Sequence, residues 1–119
     1  MTDPEVRRLT DQAERMWRFA AVHRSRAARL AESAEPGAEH RSRLEWGLAK
    51  VSAEHAMAYR ELAAVVETRR QAAGRPSTSP ERTAAMNRSV SALRRAETHY
   101  HRSLAVPLCA GERAGDPAE

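Results

Sequence analysis

Apolar residues recur at alternating steps of three and four along almost the whole chain, and a sequence with that rhythm hides them on one side of an α-helix. Val6, Leu9, Ala13, Met16, Ala20, His23, Ala27, Leu30 and Ala34 form a first row. Leu44, Leu48, Val51, His55, Ala58, Leu62, Val65, Arg69 and Ala72 form a second, and Met86, Val90, Leu93, Glu97, Tyr100 and Leu104 a third. Strands have little to build on, since the chain contains no Ile and its only adjacent β-branched apolar pair is Val65-Val66.

Punctuation falls between the rows. Asp3-Pro4-Glu5 and Ser79-Pro80-Glu81 each place a capping side chain before a proline and an acid in the first turn, as a helix start requires. Glu35-Pro36-Gly37 and Gly74-Arg75-Pro76 interrupt the pattern. The spacing predicts helices over about 4–34, 38–73 and 80–104. Short loops make consecutive helices antiparallel, so the expected fold is all-α, an up-down-up three-helix bundle with long helices. At 119 residues, 41% of them hydrophobic, the chain is sized for one domain, expected over about 1–105, with a flexible tail over 106–119 rich in Pro and Gly.

Charge narrows the function only a little. Basic residues number 20 and acidic ones 16, and 19 of the cations are Arg, an excess that a GC-rich codon supply produces whatever the role. The single cysteine, Cys109, leaves no internal disulfide, zinc knuckle or redox pair, which points to a reducing cytoplasm. The acidic start running into Arg7-Arg8 is unlike a secretory signal, and there is no apolar run long enough for a bilayer. Glycine-rich phosphate loops, nucleophile elbows and His-Glu-x-x-His zinc motifs are missing, and no cofactor is expected.

The second helix carries a further row, Trp46, Ala49, Ala53, Ala56, Met57, Ala63 and Ala64, and is apolar nearly all round. Such a helix needs cover on two sides, and its small residues admit another helix closely. This predicts a homodimer, most simply antiparallel, with Trp46, Ala49, Ala53, Ala56 and Met57 at the interface. Trp46 is expected to be covered by Val106-Pro107-Leu108, by self-association or by a foreign protein.

Three heptad positions hold polar residues: His23, His55 and Glu97. Antiparallel helices turning near residues 36 and 77 bring residue 55 level with about residues 17 and 99. Trp17, His55, Glu97, Tyr100 and His101 then share a layer. The first reading is a hydrogen-bonded pair of His55 with Glu97 that holds register. The second is a metal site of His55, Glu97 and His101, with Glu54 and Glu61 expected to be solvated beside the seam. The third is catalytic. Arg94 precedes His99 with four residues between, and Arg94 and Arg95 precede His101 with six and five. This resembles the Arg–His spacing of small helical ribonucleases of the HEPN class. The resemblance implies catalysis by Arg94, His99 and His101 on a scissile phosphate across a dimer cleft.

Arg88, Arg95 and Arg102 recur every seven residues, and with Arg94 they make a basic third helix on which a nucleic-acid-binding regulator could be built. Tyr100, the one aromatic residue of that segment, is expected to face the core. The residual expectation is a non-enzymatic helical protein-interaction or assembly module of the bacterial cytoplasm. The ribonuclease, the helical metal-binding protein and the nucleic-acid-binding regulator stand as its alternatives.

Overall fold

A computed structural model describes residues 3–108. It consists of α1 (Pro4–Ala31), α2 (Ala38–Ala73) and α3 (Pro80–Ala105), with no strand among the described residues. The Asp3 carboxylate accepts from the amides of Glu5 and Val6 at 2.8 and 3.3 Å, and the Ser79 hydroxyl from the amide of Arg82 at 3.0 Å. These are the two caps their sequences promised. Gly37 enters α2 at φ 81°, a conformation a side chain would strain. No helix here is long and apolar enough to cross a membrane.

α1 stops at Ala31, three residues short of expectation. The Ser33 hydroxyl accepts from the amide of Glu35, offering the backbone a turn in place of another helical step, and Pro36 disfavours helical geometry at Glu35.

The larger departure is in how the helices are arranged. α1 and α3 each pack along α2, and among the described residues they do not meet each other. The Cα envelope measures 64 × 30 × 16 Å, elongated and flattened. The expected bundle therefore does not close. The Ser42 hydroxyl donates to the Ala27 carbonyl at 2.8 Å on the α1 side of α2, whereas Glu61 on the α3 side meets Arg95 at 3.0 Å. The α1-facing stripe continues from Ser42 through Ala49, Ala56 and Ala63, and the α3-facing one runs through Gly47, Val65 and Ala72. Ala56 and Val65 are nine residues apart, so they point about 180° from each other.

The stripes consist almost wholly of small residues. Ala13, Ala20 and Ala27 lie on α1, and Ala85, Ser89, Ala92, Ala96 and Ser103 on α3. Among the described residues the largest side chain withdrawn completely from water is Ser89. Side chains this short let antiparallel helices approach closely. They bury little apolar surface, so the energy per contact is modest and depends on close fit.

Candidate functional site: an open apolar face

Alanine packing on two opposite flanks of α2 leaves its leucine row only partly covered. Leu44, Leu48, Val51, His55, Leu62 and Val66 all retain solvent exposure. On α3 the expected seam is displaced by one position. Helices turn 100° per residue, so with Ala85, Ser89, Ala92 and Ala96 against α2, the row Met86, Val90, Leu93, Glu97, Tyr100 and Leu104 swings out to the same open side. Tyr100 is 51% exposed and Leu104 65%, which corrects the expectation that they face a core. Between the two rows runs a groove of about 320 Å³ lined by His55, Ala58, Tyr59, Leu62, Leu93, Ala96, Glu97 and Tyr100.

The polar layer forms with different partners. His55 does not pair with Glu97. Its Nε2 lies 3.1 Å from Ser103 Oγ, and its ring stacks on Tyr100 with centroids 6.5 Å apart. Ser103 already donates its one hydroxyl hydrogen to the Tyr100 carbonyl at 2.6 Å, so it accepts from His55, and the His55 proton sits on Nε2. Glu97 is exposed on the groove's rim. His55 meets residue 103 rather than 99, one turn from the expected level.

Glu54, expected in solvent, accepts instead from His99 Nδ1 at 2.7 Å, and Glu45 accepts from His23 Nδ1 at 2.6 Å. Each pair ties one outer helix to α2 and is four-fifths or more buried. Register-holding histidine–carboxylate pairs are thus present, one on each side of α2, and neither is the pair the heptad anomalies suggested. Glu45 and Glu54 fall outside the apolar rows, so only the tertiary register could have identified them.

Within the protomer the ribonuclease residues do not converge. His99 turns in toward α2, whereas Arg94 and His101 are exposed. Nor do His55, Glu97 and His101 make a metal centre, since no group of three potential ligands comes together among the described residues. In the basic row, Arg95 bonds Glu61 at 3.0 Å and Arg88 bonds Gln71 Oε1 at 3.4 Å. Part of that charge is therefore compensated within the chain. Arg102 is exposed.

The expected interface residues divide. Ala49 and Ala56 are buried inside the protomer and have no surface left for a second chain, while Ala53 and Met57 are half-buried and Trp46 is 46% exposed. The segment after α3 closes on Gly47, next to Trp46 in the chain. A Cβ at Gly47 would stand 3.1 Å from both the Pro107 carbonyl and Leu108 Cδ2. The rest of the expected tail, with Cys109, lies outside the described residues. No protein-family model, curated protein or solved structure matches the chain.

Proposed function

We propose that the chain is a non-enzymatic assembly module of a reducing cytoplasm, and that the open face of α2 and α3 is where it docks protein. One observation carries the reading: Met86, Val90, Tyr100 and Leu104 are exposed and Leu48, Leu62 and Leu93 keep partial exposure, while the buried interior is mostly alanine and serine. Domains are ordinarily built from two packed layers, and a slab with Leu48, Leu62, Leu93 and Tyr100 turned to one side supplies only the first. Exposed apolar area of this kind marks an interaction surface.

The test is a double substitution, Leu62→Glu with Leu93→Glu, followed by native mass spectrometry and helical circular dichroism. The reading expects helix content to stay at the wild-type level, because these leucines line the open groove and are not fully buried, while the assembled species disappears. Loss of helix in dilute solution, or an assembly that survives both charges, overturns it.

A further inference from the structure

The open face has a symmetry of its own. α2 runs from residue 38 to residue 73, and His55 sits at its middle. On the uncovered side Val51 and Tyr59 stand four residues to either side of His55, Leu48 and Leu62 seven, and Leu44 and Val66 eleven. A strictly repeating heptad is not mirror-symmetric about one of its core positions, because steps of three and four alternate through it. Here the step is four on both sides of His55, so the row reads the same in either direction.

We infer that the occupant of this face is a second copy of the same chain, laid antiparallel across it with His55 on the two-fold axis; the inference rests on the docking reading above. A two-fold axis makes residue i of one copy meet residue j of the other and j meet i. Rotation about an axis at His55 sets Val51 of one copy against Tyr59 of the other and Leu48 against Leu62. Every apolar residue of the row then meets an apolar residue.

α3 supports the same operation. Its helical residues pair with α2 from Gln71 back to Glu54, so on the flank opposite α1 the N-terminal half of α2 meets only Val106–Leu108, at Gly47. The rotation carries the second copy's α3 to the level of that flank, with the Met86 and Val90 row turned toward the first copy. Area is sufficient, since the 64 × 30 Å outline is more than twice the ~800 Å² that each partner buries in a stable complex.

Cross-linking tests the register directly. In a Cys109→Ser background, His55→Cys chains should form a disulfide-linked dimer with themselves under mild oxidation. Leu48→Cys and Leu62→Cys should each stay unlinked alone and link when mixed, with one chain tagged to resolve the mixed product. The wild-type chain should have the mass of a dimer by light scattering. Self-linking of Leu48→Cys would indicate a parallel register and overturn the inference. A dimer that Leu62→Glu dissolves, but whose His55→Cys chains never link, also overturns it while leaving the docking reading intact. A wild-type chain that stays monomeric at every concentration removes the second copy. The docking reading is then judged separately, by whether the double glutamate variant keeps its helix.

Discussion

His99 Nδ1 and Glu54 Oε1 meet at 2.7 Å between α3 and α2, and His23 and Glu45 repeat the arrangement at 2.6 Å between α1 and α2. A carboxylate only accepts, so each imidazole presents Nδ1–H to its partner and is held in one orientation. Alanine packing alone specifies register poorly because one alanine step resembles the next. The two pairs distinguish the correct alignment from its neighbours, as a polar group does at a core position of a coiled coil.

Removing one member should therefore cost more than a surface ion pair. Glu54→Ala leaves His99, more than four-fifths buried, without its acceptor, and the expected loss is about 1–3 kcal/mol, against less than ~1 kcal/mol for Arg41→Ala at the exposed Glu35–Arg41 pair. Urea denaturation of Glu54→Ala, His99→Ala and the double variant should give non-additive losses. Strict additivity would show that the pair carries no coupling.

Alanine at position 56 is predicted to be irreplaceable by a larger residue. Its side chain is 0% exposed on the α1 side of α2, and Ala56→Leu should destabilise by about 1–3 kcal/mol or more by forcing the helices apart. Ala53→Leu, at a half-buried position, should change the unfolding midpoint by less. Equal effects at the two positions would contradict the close packing.

The two glycines at helix ends should respond in opposite directions to alanine. Gly37 sits at φ 81°, where a Cβ costs about 1–2 kcal/mol, so Gly37→Ala should lower the melting temperature. Gly74 has φ −83°, and a Cβ there meets nothing nearer than 3.7 Å. Gly74→Ala should raise stability by about 0.4–1 kcal/mol, through a less flexible unfolded chain.

Gly47 should control the segment that follows α3. Gly47→Val places branched carbons where the Pro107 carbonyl and Leu108 now lie, and hydrogen exchange at Val106 and Leu108 should accelerate with the helices intact. Unchanged protection would mean that the segment does not depend on the close approach.

Helix number and type, two of the caps and the antiparallel order follow from local chemistry, and they were legible before any coordinates. The α1 seam was legible too: Leu9, Ala13, Ala20 and Ala27 are buried as their spacing predicts. The α3 seam was not. Periodicity marked Met86, Val90, Leu93 and Tyr100 as the buried row, because a large apolar side chain is the stronger signal. The helix instead presents the row one residue back, Ala85, Ser89, Ala92 and Ala96. The rows differ by 100°, and only the identity of the packing neighbour selects between them.

By itself the sequence determined three helices, their starts and their order, because caps, prolines and a three-four rhythm act within a few residues. It also determined which faces are apolar. Tertiary structure alone decided that α1 and α3 take opposite flanks of α2, so that Ala49 and Ala56 are buried while Leu62 and Tyr100 look outward. The reason is geometric. Short side chains on both flanks allow two close helix contacts, and once these are made no third helix remains to cover the leucine row.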